Sequence, residues 1–219
     1  MYYDLHTHYF PEENGDICAI VNISVAHFSL KELEKKNGSC ISIGIHPWFI
    51  NKDNIEKELD LIEKYASFPH VKAIGECGLD RLCKTDFELQ KEVFSSHISI
   101  SEKTGKPLIL HCVKSFDEMV FFKKMNRPEQ AWIIHGFRGK PQQAKQLLEQ
   151  GFYFSFGFNH NKQSLQNIPI EKVFFETDNS GYDIRTIYRN AAKTLNTSEK
   201  NLIRQIEENI NFVFKHYSA

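Results

Sequence analysis

The sequence lacks any apolar stretch of membrane-spanning length, any closely spaced cysteine pair and any large excess of one charge. Because a helix needs about 20 consecutive apolar residues to cross a bilayer, the sequence predicts a protein that does not enter membranes. The five cysteines are odd in number and show no CxxC spacing, which is typical of reduced thiols rather than of a disulfide framework. No basic segment followed by an apolar stretch precedes the first strand-like run, so we expect a cytoplasmic protein.

The chain also lacks internal repeats, low-complexity tracts and a visible linker between domains. With 219 residues, of which 41% are hydrophobic, it can bury one sizeable core, and we expect a single domain over residues 1–219. A formal net charge of −1 gives no overall attraction for a phosphate backbone. Any contact with nucleic acid must therefore come from a local patch.

Six short β-favouring runs each end in histidine or a carboxylate, as in YYDLHTH, ISIGIHP and VFFETD. The polar residues at these ends are His6, His8, His46, Glu76, His111, His135 and Asp178. Nearly continuous apolar runs are typical of strands buried on both faces in a parallel sheet. In a (β/α)8 barrel the carboxyl ends of all the strands converge on the catalytic face. The repeated pattern therefore predicts one shared site.

The pattern predicts eight strands, separated in most places by helices. The strands are expected at 2–6, 17–23, 40–45, 71–76, 107–112, 131–135, 152–156 and 172–177. Helical periodicity covers 51–66, 86–104 and 198–216, and Ser115 with Glu118 predicts a capping box. The connection before Ile17 is too short for a normal helical crossover. We therefore expect an α/β protein with a (β/α)8 TIM-type barrel and a shortened first crossover.

The strongest ligand pattern is DLHTH, because the two-residue period of a strand places His6 and His8 on one face, within reach of one ion. The other candidates are open to different interpretations when each is taken alone. Glu76 can bridge two cations or pair with Arg81 or Lys84. Asp178 can be a ligand, a helix N-cap or a turn residue.

Three further candidates are equally open. His111 and His135 can each be a hydrogen-bonded core residue rather than a ligand. Glu176 alternates with Asp178 and can share its face of the strand.

The ordered set DLHTH, GIHP, IGECGLD, PLILHC, HGFRG and ETD closely resembles the signatures of the TatD family of metal-dependent deoxyribonucleases, in the amidohydrolase superfamily. The resemblance implies a somewhat distorted (β/α)8 barrel. It also implies two divalent ions, Mg, Mn or Zn. One ion would be held by His6, His8 and Asp178 and the second by His111 and His135, with Glu76 bridging the two.

The same resemblance implies roles beyond ion binding. His46 would lie near the substrate phosphate. Asp178 would orient or deprotonate the bridging water, and Asp178 and Glu76 are the predicted catalytic residues. The sequence departs from the family after ETD, where a Ser or Ala and then a Pro are usual and a longer loop follows.

Substrate contacts are less clearly marked than the ion ligands. Arg138 follows His135 by three residues, so we expect it to contact a substrate phosphate. Lys114 and Lys140 are either part of the same rim or solvated charges. Trp48 and Phe49 either stack a nucleobase or pack under the next helix.

The leading hypothesis is a divalent-metal-dependent hydrolase of phosphoester bonds that acts on DNA with a metal-activated water, and a monomer is compatible with the sequence. A second hypothesis keeps the ions and changes the substrate to a small phosphoester or a cyclic amide, because barrels change chemistry through their loops. A third is a noncatalytic metal-binding protein. Retention of every predicted ligand favours an enzyme.

Overall fold

The structure, a computed structural model, describes residues 1–11, 15–25 and 40–214. Within these residues the strands are β1 (Tyr2–Thr7), β2 (Ile17–Ser24), β3 (Cys40–Gly44), β4 (Val71–Asp80), β5 (Leu108–Val113), β6 (Trp132–Ile134), β7 (Tyr153–Phe156) and β8 (Val173–Phe175). The α-helices of the same residues are α1 (Ile55–Ala66), α2 (Phe87–Thr104), α3 (Phe116–Asn126), α4 (Pro141–Glu149), α5 (Lys162–Asn167), α6 (Ile184–Thr194) and α7 (Glu199–Val213). Short 3₁₀ helices cover Pro47–Phe49 and Ile170–Lys172.

The strands form one eight-stranded sheet in the order β1 to β8. Pairing is parallel between β1 and β2, along β3, β4 and β5, and along β6, β7 and β8. The predicted (β/α)8 barrel fold is therefore confirmed. Observed and predicted strand ends agree within two residues, except that β4 continues from the predicted end at Glu76 to Asp80.

The shortened first crossover is also confirmed. β1 and β2 are parallel neighbours, with Tyr2 opposite Ile17, and residues 8–16 connect them. Outside the undescribed residues 12–14, this connection contains no helix. The backbone N–H of Tyr2 donates to the Asp16 carbonyl at 2.8 Å and so fixes the start of the register.

Three predicted helices correspond to α1, α2 and α7. The last was expected to reach residue 216, and residues 215 and 216 lie outside the described part of the chain. The predicted capping box at Ser115 is wrong, although Ser115 is the N-cap of α3. Its hydroxyl donates to the Leu79 carbonyl at 2.8 Å instead, and Glu118 pairs with Arg81.

The chain divides into two compact units, which we call the terminal unit (Met1–Val21 with Ile133–Ala219) and the middle unit (Asn22–Trp132). Aromatic side chains dominate the core of the terminal unit, where Phe154, Phe174 and Tyr188 are buried. The middle unit packs Phe94, Leu108 and several isoleucines. The expected single domain over residues 1–219 stays a prediction.

None of the helices in the described ranges is long and apolar enough to cross a bilayer. Within the described residues the cysteines form no disulfide, and Cys40 and Cys77 are buried. The cytoplasmic location stays a prediction from the sequence.

His97 is a buried polar residue of α2 that holds the end of β3 in place. Its Nε2 accepts the backbone N–H of Ile45 at 3.0 Å, and its Nδ1 lies 2.8 Å from the Val93 carbonyl oxygen. Nε2 is therefore the acceptor and Nδ1 carries the proton. Burial lowers the pKa of His97 to about 4, and the Val93 carbonyl opposes this shift.

Because the folded-state pKa of His97 is depressed, its stabilising effect is fully present above the ordinary value of 6.5 and is lost as the pH falls toward about 4. As the pH falls from 6.5 to about 4, protonation of His97 in the unfolded chain should lower the free energy of unfolding by about 1 kcal/mol per pH unit. His97→Gln, whose amide oxygen can still accept from Ile45, should lose this part of the pH dependence. Urea unfolding at several pH values measures both slopes, and equal slopes would contradict the assignment.

Candidate metal centres

The end of β1 and the residues after β8 bring His6, His8 and Asp178 together in the terminal unit. The backbone N–H of Asp178 donates to the His6 carbonyl at 2.9 Å, and Thr7 forms a parallel bridge with Asp178. Asp178 has a φ of 51°, a left-handed conformation that aspartate tolerates better than most side chains. The chain therefore turns directly after its strand and presents the carboxylate beside the two imidazoles.

The separations in this cluster suit ligands of one ion. Nε2 of His8 lies 3.3 Å and Nε2 of His6 lies 3.7 Å from Oδ1 of Asp178. The three candidate ligand atoms all lie within 4.8 Å of one another. Two ligands of one tetrahedral ion at about 2.0–2.2 Å lie about 3.3–3.6 Å apart, so the donor set fits a divalent ion with little movement.

Asp4 fixes the segment that carries Asp178. Its carboxylate accepts the backbone N–H of Thr177 at 3.0 Å and the Thr177 hydroxyl at 2.6 Å. Burial raises the pKa of Asp4 to about 7, while the hydrogen bonds from Thr177 oppose that rise. These bonds tie β1 to the end of β8, and the sequence offered no sign of them.

His135 follows β6, and a buried carboxylate orients it. Its Nδ1 lies 3.2 Å from Oε1 of Glu176, and the same oxygen accepts the backbone N–H of Gly136 at 2.6 Å. Donation from Nδ1 leaves the lone pair of the His135 ring on Nε2, the arrangement of a ligand histidine held by a carboxylate. The His135 and His6 ring centroids are 4.4 Å apart.

A second cluster lies in the middle unit and consists of His46, Glu76 and His111. Oε1 of Glu76 lies 2.8 Å from Nδ1 of His111 and 3.1 Å from Nε2 of His46. Candidate ligand atoms of all three residues fall within 4.8 Å of one another. The expected alternative partners of Glu76, Arg81 and Lys84, form no ion pair with it among the residues that the structure describes.

The backbone around Glu76 is closely packed. Its N–H donates to Oδ1 of Asn22 at 2.7 Å. A Cβ at Gly44 would lie 2.8 Å from the Glu76 carbonyl oxygen, so only glycine permits this approach of β3 to β4. The position of the Glu76 carboxylate is therefore set by its strand and by Asn22.

The two ring nitrogens of His111 have different partners. Nδ1 faces Glu76, whereas Nε2 lies 3.1 Å from Oδ2 of Asp80. Either nitrogen can carry the proton, and in the tautomer in which Nε2 donates to Asp80 the Nδ1 lone pair faces Glu76. His111 therefore has the geometry of a ligand whose second nitrogen is held by a carboxylate.

His46 has the opposite proton arrangement. Its Nδ1 accepts the backbone N–H of Trp48 at 3.1 Å, so the proton of the ring must be on Nε2, which faces Glu76. A nitrogen that carries a proton cannot coordinate an ion. The hydrogen bonds thus favour His46 as a donor to an oxygen and separate it from His111, although both rings lie beside the same carboxylate.

Asp80 is a residue of this cluster that the sequence motifs did not single out. It is buried, and its oxygens accept the Trp48 Nε1–H at 2.7 Å, the Leu82 N–H at 2.7 Å and the His111 contact. Burial opposes ionisation of Asp80, but these hydrogen bonds together outweigh it and lower its pKa. The only available sign was the D that ends GECGLD.

Gln90 of α2 holds the backbone around Asp80. Its side-chain oxygen accepts the Asp80 N–H at 2.8 Å, and its amide donates to the Asp80 carbonyl at 3.0 Å.

Arg138 lies after β6 and is exposed, with no ion-pair partner in the described parts of the chain. The ion-ligand roles of His6, His8, Glu76, His111, His135 and Asp178, the bridging role of Glu76, and the substrate contacts of His46 and Arg138 stay predictions.

Histidine and carboxylate clusters at the strand ends of a parallel barrel define a metal-dependent hydrolase type of site. The family model described as "TatD related DNase" matches residues 4–215. The chain therefore belongs to the TatD family, as its motifs predicted.

Two curated relatives and one solved structure illustrate the similarity. An uncharacterized metal-dependent hydrolase of Buchnera aphidicola subsp. Baizongia pistaciae is 32% identical over 180 residues, which cover 76% of this chain and 66% of the relative. The human protein described as 3'-5' RNA nuclease TATDN2 is 28% identical over 160 residues, covering 68% of this chain and 21% of that protein. The matched region thus spans less than two thirds of either relative.

The solved structure is that of YJJV, a TatD homologue from Escherichia coli. It superposes with a TM-score of 0.81 and covers 97% of each chain, at 19% identity. At that identity the likeness supports the fold alone.

We expect Asp80→Asn to weaken divalent-ion binding by about 10- to 100-fold, because His111 loses the carboxylate that fixes its proton and its orientation. Isothermal titration with Mn²⁺ measures the loss, and circular dichroism checks that the fold is kept. Asp117→Asn, which changes an exposed carboxylate of α3, is the matched control. Unchanged Mn²⁺ affinity in a folded Asp80→Asn protein would refute the orienting role.

Proposed function

We propose that this chain is a divalent-metal-dependent hydrolase of phosphodiester bonds, with the ends of DNA as its substrate. The observation that carries the proposal is the pair of His and carboxylate clusters at strand ends in a chain of the TatD family. Each cluster combines imidazole nitrogen with carboxylate oxygen, a donor set that suits Zn or Mn better than it suits Mg alone.

Each of the two units contributes one set of proposed ion ligands. His6, His8 and Asp178 hold one ion, and Glu76 with His111 contributes to a second. The assignment of His135 to the second ion and the bridging role of Glu76 derive from the family resemblance. Bound divalent ions would polarise the phosphoryl group and make water a better nucleophile near neutral pH.

Three side chains, Asp178, His46 and Arg138, have different roles in the proposed reaction. Asp178, whose side chain is 35% exposed, can orient the attacking water and accept its proton. His46 donates its Nε2–H to a phosphate oxygen of the substrate, which takes the place of Glu76 as its acceptor. Arg138 adds positive charge for the scissile phosphate or its neighbour.

A second candidate substrate is a small phosphoester. The connection from β8 to α6 is short and lacks the usual proline, so fewer residues are available there to contact a polymer. RNA is a further polymer to test, because one relative is described as an RNA nuclease.

The first test is Asp178→Asn with end-labelled single- and double-stranded DNA in Mg²⁺ or Mn²⁺. We expect the wild-type protein to shorten the DNA progressively and the variant to lose at least about 100-fold in rate, since a general base contributes about 10²–10⁴-fold. Glu76→Ala and His6→Ala should each abolish hydrolysis and lower the ion content while the fold is kept. Gel analysis and elemental analysis give the two readouts.

Asp53→Asn, an exposed carboxylate before α1, is the control variant. Equal hydrolysis by wild type and Asp178→Asn would reveal a contaminating nuclease. If the protein binds ions and cleaves a small phosphodiester but leaves DNA intact, the second candidate substrate would replace DNA. Full activity in a folded Glu76→Ala protein would contradict the role of Glu76 in ion binding.

Arg138→Gln should raise the Michaelis constant for DNA by about 10-fold, because a charge-assisted hydrogen bond to the phosphate is lost, and should leave ion affinity unchanged. Steady-state kinetics and Mn²⁺ titration separate these two effects. Arg204→Gln changes a cation on α7 and serves as the control. An unchanged Michaelis constant would remove Arg138 from the substrate site.

A further inference from the structure

Trp48 is a large apolar side chain that the structure keeps at the surface. It is 58% exposed, and its neighbours Phe49 and Leu82 are 46% and 70% exposed. The sequence left two interpretations open for Trp48 and Phe49, and their exposure disfavours packing under the next helix. Exposed aromatic and aliphatic groups in one patch mark a contact surface more often than a chance arrangement.

The indole of Trp48 is nevertheless fixed in orientation. Its Nε1–H donates to Oδ2 of Asp80 at 2.7 Å, and its backbone N–H donates to Nδ1 of His46 at 3.1 Å. One hydrogen bond at the backbone and one at the indole nitrogen thus hold a residue that is more than half exposed. An aromatic ring that is held in this way loses little conformational entropy when a partner stacks on it.

The ring lies beside the second cluster. Its centroid is 5.1 Å from that of His46 and 6.0 Å from that of His111, with interplanar angles of 88° and 75°. The planes of the two histidine rings are thus steeply inclined to the indole plane. A group stacked on Trp48 would lie next to the residues proposed to hold an ion and a phosphate oxygen.

A cavity of about 430 Å³ opens next to this ring. Trp48, Leu82, Cys83 and Val113 provide apolar lining, and Lys84 contributes a cation at its wall. Small-ligand sites are of about 300–1,000 Å³, so a flat ring fits the available space. Lys114, which follows Val113 at the end of β5, is exposed and adds a second positive charge for a backbone phosphate.

The geometry points to a nucleobase subsite formed by Trp48 and Leu82, which takes one unpaired base adjoining the scissile phosphate. This inference depends on the proposed function, since it names the substrate as a nucleic acid with unpaired bases. Base–aromatic stacking tolerates any base, because every base has a π face. An internal base of a duplex already stacks on both faces, so the subsite favours single strands and frayed ends.

The chemistry that is recognised, a flat base linked to a phosphate, is shared by DNA and RNA. The test therefore uses single-stranded oligomers of both kinds. Each is made with normal terminal residues and with abasic tetrahydrofuran residues in the last two positions at each end. The protein variants are Trp48→Ala, Trp48→Phe and the control Phe121→Ala, which removes an exposed ring of α3.

We expect Trp48→Ala to lower kcat/KM by about 5- to 150-fold on oligomers with bases, the range that removal of one stacking partner produces. On abasic-ended oligomers it should have little effect. Trp48→Phe, which keeps a ring but loses the bond to Asp80, should recover most of the activity, and Phe121→Ala should match the wild type. A selective effect in either sugar series supports the subsite.

Equal losses on base-bearing and abasic oligomers would overturn the inference, because they would show that Trp48 acts only by supporting Asp80 and His111. Mn²⁺ titration of each variant detects that structural effect independently. If the wild-type protein cleaves no oligomer, the proposed function fails separately, and intrinsic fluorescence still tests the subsite. The subsite is supported if base-bearing oligomers quench the tryptophan fluorescence, abasic-ended oligomers do not, and Trp48→Phe abolishes the quenching. Absence of quenching by base-bearing oligomers overturns it.

Discussion

Buried carboxylates that are not themselves proposed ligands set the geometry at the strand ends. Glu176 holds His135, Asp80 holds His111, and Asp4 holds the backbone before Asp178. Burying a carboxylate costs free energy that hydrogen bonds from its neighbours offset, so each of these groups favours a defined arrangement of the donors that it accepts from. The positions of the proposed ligand atoms beside these carboxylates follow from this requirement.

The two histidines beside Glu76 show how a backbone donor decides chemistry. His111 has a carboxylate at each ring nitrogen, so either nitrogen can carry its proton, whereas His46 accepts the Trp48 N–H and directs its own N–H at Glu76. Distance alone groups the two rings as equivalent ligands. The difference between an ion ligand and a phosphate donor lies in which nitrogen already has a partner.

The strands and the strand-end histidines could be predicted because both depend on local patterns, an apolar run and the two-residue period of DLHTH. Asp80, Glu176 and Asn22 could not be assigned roles, because their partners are on other strands or loops and depend on register. The failed capping box at Ser115 has the same cause, since the Leu79 carbonyl on β4 competes for its hydroxyl. The exposure of Trp48 also depends on its bond to distant Asp80.

β4 is ten residues long and carries both Glu76 and Asp80, separated by Gly78, which lies opposite His111 in the register. Glu76 and Asp80 lie on the same face, and the ring of His111 contacts both carboxylates. A shift of β4 by one residue would turn both carboxylates away from that ring together. The two carboxylates therefore depend on the same register, and transplanting β4 together with β5 into another parallel sheet would transfer the proposed ligand and the carboxylate that supports it together.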